Sequence, residues 1–260
     1  MKVLLVDLGN TRIKWARLGP RGVGRQKAAA HAGWQAADFS RALFGSAARD
    51  ALASGIRVVA VSVASEPLRR AFAAAVRAAT GRAPLFCTSV KLAGGVRNAY
   101  REPWRLGADR WIALVGARAL CSPAPALVVD IGTATTLDLL DGRGVHRGGA
   151  ILPGPALMIE SLLRDTGGIR RRAGGAARGR RPFARDTASA LAAGALHGTA
   201  AAIDRAFAQA RRELRSRSLR LILTGGAAAA IAPLLIARAS LVPDLVLQGL
   251  AVLAPPKTAD

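Results

Sequence analysis

Two short segments of the sequence place an aspartate, a glycine and a threonine close together, and both follow a run of apolar residues. The first segment begins at Asp7 (DLGNT) and the second at Asp130 (DIGT). A turn of this composition presents backbone N–H groups and hydroxyls to an anion, and an adjacent carboxylate binds Mg²⁺ directly or through water. Together the two turns predict a site that holds the phosphates of a nucleotide such as ATP from both sides of a cleft.

An absent motif and one lysine limit the kinds of phosphate site that the sequence allows. The sequence contains no G-x-x-x-x-G-K-[ST] segment, which excludes a Walker-type phosphate loop. Lys14 ends the run that follows the first turn, where it would reach a phosphate. An exposed strand lysine without a ligand is the alternative interpretation.

A third acid, Asp109, is the candidate catalytic base, because a carboxylate within hydrogen-bond reach accepts the proton of an attacking hydroxyl. Its neighbour Arg110 carries a fork of donors that pairs with this carboxylate, with a substrate carboxylate or with a phosphate. Asp109 is also a good N-cap for a helix over residues 110–120. The two interpretations are compatible, and the sequence leaves both open.

The elements that must position these residues occur twice. Each turn joins two apolar runs, which predicts a β-hairpin, and each hairpin is followed by a third strand and then by helices alternating with strands. The hairpins lie about half the chain apart, which indicates duplication of a whole domain. We therefore predict an α/β protein with two tandem domains and mixed sheets, residues 1–120 and 121–260.

Apolar spacing predicts the remaining elements of each half. In the first half these are the strand 23–30, the helix 36–53, the strand 57–63 and the helix 67–80. In the second half they are the strand 145–152, the helices 155–163 and 187–215, the strand 219–223 and the helix 227–237. The Gly- and Arg-rich segment 164–185 predicts a mobile, charged loop, with phosphate binding as the alternative.

The paired turns resemble those of the acetate and sugar kinase, Hsp70 and actin superfamily, the actin-like ATPases. That resemblance implies two ribonuclease H-like domains, with the turns at Asp7 and Asp130 as the phosphate 1 and phosphate 2 motifs. The segment 224–226 (TGG) is similar to the adenosine motif of this superfamily, a plain strand-to-helix turn being the alternative.

A narrower resemblance, to the type III pantothenate kinases, rests on four segments that occur in the family order. Residues 7–14 (DLGNTRIK) match D-x-G-N-T-x-x-K, and residues 98–111 (NAYREPWRLGADRW) match N-x-Y-x-x-P-x-x-L-G-x-D-R-W. Residues 148–154 (GGAILPG) match G-G-x-I-x-P-G. The start of the helix after Asp186 resembles N-T-x-x-A-I-x-x-G, with Asp186 in place of the usual Asn.

The family resemblance implies ATP-dependent phosphorylation of the 4′-hydroxyl of pantothenate, the first step towards coenzyme A. It also implies Mg²⁺ and a monovalent cation, K⁺ or NH₄⁺, as cofactors. Asp109 would be the base, and Asp130 would bind the monovalent cation, although a water-mediated Mg²⁺ contact suits Asp130 equally well.

The resemblance further implies which residues bind the two substrates. The residues implied for pantothenate are Tyr100, Gly107, Ala108, Asp109, Arg110 and Thr187. Thr187 would come from the partner subunit of a homodimer. The residues implied for ATP are Asp7, Leu8, Gly9, Asn10, Thr11, Arg12, Ile13, Lys14 and Thr133.

The net charge of +22 comes almost entirely from arginine. A basic surface attracts anionic substrates, and a nucleic-acid partner is the alternative. Because the arginines are spread along the chain and aromatic residues are few, we do not expect a nucleic-acid partner. A regulatory protein, like the Bvg accessory factors of the same family, and another kinase or hydrolase of the superfamily are the competing functions.

The remaining features are typical of a cytoplasmic protein without a membrane segment, because the N-terminal apolar run reaches Asp7 before a signal-peptide core is complete. The cysteines, Cys87 and Cys121, lack metal-ligand spacing and are interpreted as small buried apolar residues. The three histidines, including His31, fit no metal or base pattern and are interpreted as structural.

Overall fold

A computed structural model describes residues 2–45, 55–174 and 181–254 of the chain. These residues form two compact units. The first unit runs to Leu120 and includes the described residues from Asp244 onward, and the second is Cys121–Pro243. Among the described residues, no helix has the length and apolar character needed to cross a bilayer.

The first unit is built on a mixed sheet. Its strands are β1 (Val3–Leu8), β2 (Arg12–Gly19), β3 (Gly22–Val23), β4 (Lys27–Ala30), β5 (Arg57–Ser62) and β6 (Leu85–Phe86). Their order is β3-β2-β1-β5-β6, and β4 also pairs with β2. Strand β2 is antiparallel to β1, whereas β5 is parallel to it. All six residues of β1 are buried, as expected for the apolar run of a central strand covered on both faces.

In the described residues from Ala36 to Cys121, three α-helices and a small hairpin accompany this sheet. The helices are α1 (Ala36–Phe44), α2 (Glu66–Thr80) and α3 (Ala108–Cys121), and the hairpin pairs β7 (Leu92–Ala93) with β8 (Val96–Arg97). Helices α1 and α2 pack on the sheet through an aromatic core in which Phe39 and Phe72 meet edge to face, with ring centroids 5.7 Å apart. Edge-to-face packing is a favoured geometry for buried rings.

The second unit has the same sheet order. Its strands are β9 (Ala126–Ile131), β10 (Ala134–Leu140), β11 (His146–Pro153), β12 (Arg220–Thr224) and β13 (Ala239–Leu241). They are arranged β11-β10-β9-β12-β13, with β10 antiparallel and β12 parallel to β9. Its helices are α4 (Pro155–Asp165), α5 (Gly167–Arg172), α6 (Thr187–Glu213) and α7 (Ala228–Ile231). The two sheets thus repeat one topology, which confirms the predicted α/β fold with mixed sheets.

The last helix, α8 (Leu245–Leu253), contacts β1, β2, β3 and β5 and so belongs with the first unit. The predicted second domain, residues 121–260, includes this segment. Nearly every residue of α8 is apolar, and Leu245, Leu247 and Leu250 are fully buried. A helix that is apolar on all its faces is predicted to be buried. The sequence does not show which of the two sheets it packs against.

Several predicted elements differ from the observed ones. The predicted strand 23–30 is split into β3 and β4. The predicted helix 36–53 ends at Phe44, and residues 46–54 lie outside the described part of the chain. The predicted helix 227–237 is one α-helical turn followed by a 3₁₀ turn, Ala232–Leu234, because Pro233 has no N–H to continue a helix. The predicted loop 164–185 contains helix α5, and its residues 175–180 are not described.

Candidate active site

The first predicted phosphate turn lies at the carboxyl end of the central strand β1. Asp7 is buried there, with 7% of its surface exposed, and it pairs in register with Lys14 on β2. The Lys14 Nζ lies 3.5 Å from Asp7 Oδ2. In sheets with parallel strands, ligands bind beyond the carboxyl ends of those strands, and both charged groups stand at that end.

The turn itself is tight and anchored. The Gly9 N–H donates to the Arg12 carbonyl at 3.1 Å, and the Val63 N–H donates to the Leu8 carbonyl at 3.1 Å. A side chain on Gly9 would place its Cβ 3.2 Å from the Arg12 carbonyl oxygen, closer than most Cβ contacts. Asn10, Thr11 and Arg12 are exposed. The backbone of the turn is therefore held in place while its outer residues remain accessible.

Two residues of this predicted nucleotide site, Leu8 and Ile13, have fully buried side chains. Both side chains belong to the apolar core of the first unit. Any contact with a nucleotide at these two positions would therefore involve backbone atoms only.

The second turn follows β9 and carries Asp130, Gly132 and Thr133. The Gly132 N–H donates to the Ala134 carbonyl at 2.9 Å, and the Gly154 N–H donates to the Thr133 carbonyl at 2.9 Å. A Cβ on Gly154 would lie only 2.1 Å from the Gly132 carbonyl oxygen. Gly154, at the end of the predicted G-G-x-I-x-P-G segment, is thus packed directly against the turn.

The segment 224–226 also reaches this turn. Thr224 pairs in register with Asp130 on the neighbouring strand, and the Ala227 N–H donates to the Ile131 carbonyl at 3.0 Å. Gly225 has a φ of +92°, and a Cβ at this position would lie 2.4 Å from Asp130 Oδ1. Glycine is required here for both reasons, so the segments 148–154 and 224–226 both pack against the second turn.

The donor set at the turns suits Mg²⁺ rather than a metal held by a protein cage. Within the described ranges, no group of three or more His, Cys, Asp or Glu residues is placed to hold a metal ion. Mg²⁺ is usually bound by one or two carboxylates together with waters and substrate phosphates. Asp7 and Asp130, each beside one of the predicted phosphate turns, are carboxylates of this kind.

The predicted substrate segment is held rigidly by Asn98, which is 1% exposed. Its Oδ1 accepts from the Tyr100 N–H at 2.9 Å, and its Nδ2 donates to the Pro103 carbonyl at 3.2 Å. Further along, the buried Ser89 hydroxyl donates to the Leu106 carbonyl at 2.7 Å. These bonds position the chain on both sides of a short 3₁₀ helix, Pro103–Arg105.

The segment ends at the first turn of α3, where the predicted catalytic and substrate residues converge. Asp109 Oδ1 accepts from the Arg110 N–H at 2.8 Å, and Arg110 Nη1 donates to the Tyr100 hydroxyl at 3.4 Å. A Cβ on Gly107 would lie 2.8 Å from Asp109 Oδ1. Because α3 begins at Ala108, Asp109 lies inside the first turn, where the helix dipole stabilises a carboxylate.

Thr187 is the first residue of α6 in the second unit and is half-buried. The helix is capped by Asp186, whose Oδ1 accepts from the Ser189 N–H at 2.8 Å. This bond fits the replacement of Asn by Asp at position 186, since both residues are strong N-caps.

Neither cysteine has the properties of a nucleophile. Both thiols are free, and burial raises the pKa of Cys87 and of Cys121, although Arg220 acts in the opposite direction on Cys121. A raised pKa lowers the fraction of reactive thiolate at neutral pH.

Three residues at these turns were not among the predicted site residues. Gly154 and Gly225 belong to recognised segments, but only the fold shows how closely they approach the second turn. His31 had been interpreted as structural, and its Nε2 lies 2.8 Å from the Gly9 carbonyl oxygen of the first turn. No local sequence pattern marks His31, because it is separated from Gly9 by strand β2 and the segment up to β4.

Two units of the same topology, each with an aspartate-bearing turn after its first strand, define an actin-like ATPase fold. Among solved structures, a protein assigned to the Baf family of transcriptional activators from Campylobacter jejuni is similar, with a TM-score of 0.56 at 17% identity over 95% of this chain and 94% of that one. A protein assigned as a 2-dehydro-3-deoxygalactonokinase from Sinorhizobium meliloti has a TM-score of 0.54 at 16% identity, covering 97% and 98% of the two chains.

The sequence comparisons define the family. The family model for type III pantothenate kinase matches residues 3–209. A type III pantothenate kinase from Aromatoleum aromaticum is 42% identical over 263 residues, which cover 97% of each chain. The chain therefore belongs to the type III pantothenate kinase family.

Proposed function

We propose that this protein transfers the γ-phosphoryl group of ATP to the 4′-hydroxyl of pantothenate, the first step of coenzyme A biosynthesis. The observation that carries the proposal is the arrangement of Tyr100, Asp109 and Arg110 at the first turn of α3, with the Arg110 guanidinium 3.4 Å from the Tyr100 hydroxyl. In this arrangement the Asp109 carboxylate can accept the proton of an alcohol, and the Arg110 guanidinium beside it can donate hydrogen bonds to an anionic substrate.

The two turns bind the phosphates in this proposal. Phosphoryl transfer asks a protein mainly for positioning and for neutralisation of charge. The Asn10 backbone N–H and the Thr133 hydroxyl contact the phosphate oxygens, and Lys14 adds a positive charge. Asp7 would hold Mg²⁺, which would supply neutralisation of the phosphate charge. Asp130 binds a monovalent cation, K⁺ or NH₄⁺.

Asp109 acts on pantothenate, the molecule that accepts the phosphoryl group. Its carboxylate takes the proton of the pantothenate 4′-hydroxyl as that oxygen forms a bond to the γ-phosphorus, and the bond from this phosphorus to the bridging oxygen of ADP breaks. Arg110 pairs with the carboxylate of pantothenate, for which a planar fork of donors is well suited. Thr187 completes the pantothenate site from the partner subunit of a homodimer. We place the enzyme in the cytoplasm.

A coupled assay of ADP release tests the proposal directly. Purified protein is supplied with ATP, Mg²⁺ and pantothenate, in K⁺ and in a buffer whose only monovalent cation is tetramethylammonium. We expect pantothenate-dependent ADP release that is faster in K⁺, and none with sugars or acetate as acceptor. Release that depends on a sugar or on acetate, and not on pantothenate, would assign the protein another acceptor.

A further inference from the structure

His31 is a buried histidine that follows strand β4 in the first unit, with only 2% of its surface exposed. Its ring lies in an aromatic cluster, with ring centroids 6.4 Å from Trp34 and 6.5 Å from Phe39. Trp34 and Phe39 are themselves 5.2 Å apart and meet edge to face. The apolar sides of the imidazole are therefore enclosed, and the orientation of the ring is set by packing.

Two polar groups of His31, its Nε2 and its backbone N–H, face carbonyls of the first phosphate turn. Its Nε2 lies 2.8 Å from the Gly9 carbonyl oxygen, and its backbone N–H donates to the Thr11 carbonyl at 3.4 Å. A carbonyl oxygen can only accept a hydrogen bond, so Nε2 carries the proton. One residue therefore binds two of the carbonyls of a turn that is only a few residues long.

These two bonds orient the N–H groups of the turn. A trans peptide unit is planar, and its C=O and N–H point in opposite directions. Because the Gly9 carbonyl faces His31, the Asn10 N–H points away from the aromatic cluster, and the Arg12 N–H does so for the same reason. Asn10 is also exposed, so its N–H is directed to the accessible side of the turn.

We propose that His31 is a positioning residue for ATP, which holds the Gly9–Asn10 peptide so that its N–H binds a phosphate oxygen. Gly9 lacks a Cβ and can adopt more backbone conformations than other residues, so this peptide needs a tether to stay in one orientation. The inference rests on the proposed phosphate-binding role of the turn. His31 itself contacts neither ATP nor pantothenate.

This role is tested by substitutions that remove the hydrogen bond from His31 to the Gly9 carbonyl but keep the packing in the aromatic cluster. His31→Phe and His31→Leu keep an apolar side chain in the cluster but remove the donor, whereas the amide of His31→Gln offers an N–H at a similar reach. For each variant, kcat and the KM values for ATP and pantothenate are measured. We expect His31→Phe and His31→Leu to raise the KM for ATP about tenfold, since a buried bond is lost. The KM for pantothenate should stay unchanged.

Rescue and a matched control distinguish positioning from general loss of structure. We expect His31→Gln to restore the KM for ATP to within about threefold of the wild-type value, because an amide N–H can replace the imidazole donor. Phe39→Leu is the control, because Phe39 packs on the same ring and has no side-chain group that could hydrogen-bond the turn. It should lower the melting temperature and leave both KM values unchanged. His31→Phe and His31→Leu are the donor-free variants, and if one of them does not fold, the other is enough for the comparison.

Two outcomes would overturn the inference. One is an ATP KM for the donor-free variants that equals the wild-type value, and the other is an equal rise in Phe39→Leu, which would assign the effect to packing. Thr11→Ala and Lys14→Met, made in parallel, test the turn itself. If these two leave the ATP KM unchanged, the proposed phosphate site is wrong. If they raise it while the donor-free His31 variants do not, only the positioning role is wrong.

Discussion

Asp109, the proposed general base, has a carboxylate that is both fixed in direction and partly exposed. One oxygen, Oδ1, accepts from the Arg110 N–H at 2.8 Å, which fixes the direction of the group, and the residue is only half-buried. The helix dipole of α3 stabilises its charged form. In the proposed mechanism, the base is therefore a carboxylate held by its own helix, and Gly107 leaves room for it because a Cβ there would lie 2.8 Å from Asp109 Oδ1.

The first prediction concerns this carboxylate. Asp109→Asn keeps the acceptor oxygen for the Arg110 N–H but removes the negative charge that takes the proton. We expect kcat to fall by about 10²- to 10⁴-fold, with the KM for ATP within about threefold of the wild-type value. Steady-state kinetics of pantothenate-dependent ADP release measure both. Unchanged kcat in a folded Asp109→Asn protein would mean that Asp109 is not the base.

A second prediction concerns the glycine that lies against Asp130. Gly225→Ala introduces a Cβ that would be 2.4 Å from Asp130 Oδ1, at a φ of +92° that disfavours any side chain. We expect the free energy of unfolding to fall by about 3 kcal/mol or more, from strain and displacement together.

The matched control for Gly225 is its neighbour. A Cβ on Gly226 would meet no atom within 4 Å, so Gly226→Ala should change the free energy of unfolding by no more than about 0.5 kcal/mol. Urea denaturation followed by circular dichroism measures both variants. Equal effects of the two substitutions would show that the contact at Asp130 is not tight.

At the scale of elements, glycines also determine how closely helices approach. In the first unit, α3 and α8 cross where Gly116 and Gly249 face each other's backbones. A Cβ on Gly116 would lie 2.5 Å from the Leu245 carbonyl oxygen, and one on Gly249 would lie 2.0 Å from the Ile112 carbonyl oxygen. The position of α8 against the sheet of the first unit therefore depends on two residues without side chains.

The third prediction follows from this crossing. Gly249→Ala forces α8 away from α3, and we expect a loss of about 2–3 kcal/mol in the free energy of unfolding, as for other overpacked cores. Gly198→Ala, on the exposed face of α6 where a Cβ meets nothing within 4 Å, should instead stabilise the protein by about 0.5–1 kcal/mol through helix propensity. Thermal and urea unfolding of the two variants should therefore give shifts of opposite sign, and a stabilised Gly249→Ala protein would contradict the close crossing.

At the scale of the whole molecule, the proposal assigns residues of two subunits to one pantothenate site. Asp109 belongs to the first unit, and Thr187 begins α6 in the second. Closed dimers are the commonest oligomers, and a two-fold axis gives each of two sites the same pair of contributions. Mixed dimers can therefore show whether both residues act in one site from different chains.

The fourth prediction uses two inactive variants. Asp109→Asn removes the base, and Thr187→Glu opposes the pantothenate carboxylate, while glutamate remains favourable in the first turn of α6. Each variant alone should be inactive. In a mixed dimer, one site carries both substitutions and the other carries neither, so unfolding the two proteins together and refolding them should restore about a quarter of wild-type activity. Activity that stays at the level of the separate variants would contradict a shared site.

The sequence by itself determined the features that depend on neighbouring residues. An apolar run, an aspartate and a glycine within a few positions are enough to specify a strand and its turn, so both hairpins and the order of elements could be predicted. The resemblance to a family pattern over residues 98–111 likewise predicted Tyr100, Asp109 and Arg110 as site residues. Short-range composition carries this information because strand, turn and helix preferences are local.

Only the tertiary structure decided which distant segments meet. The contact of Gly225 with Asp130, the bond from His31 to Gly9 and the packing of α8 on the first sheet each join residues far apart in the chain. Local propensity carries no information about such pairs, because they depend on how sheets and helices fill space. A histidine or a glycine in an unremarkable segment gains its role only when folding brings another part of the backbone against it.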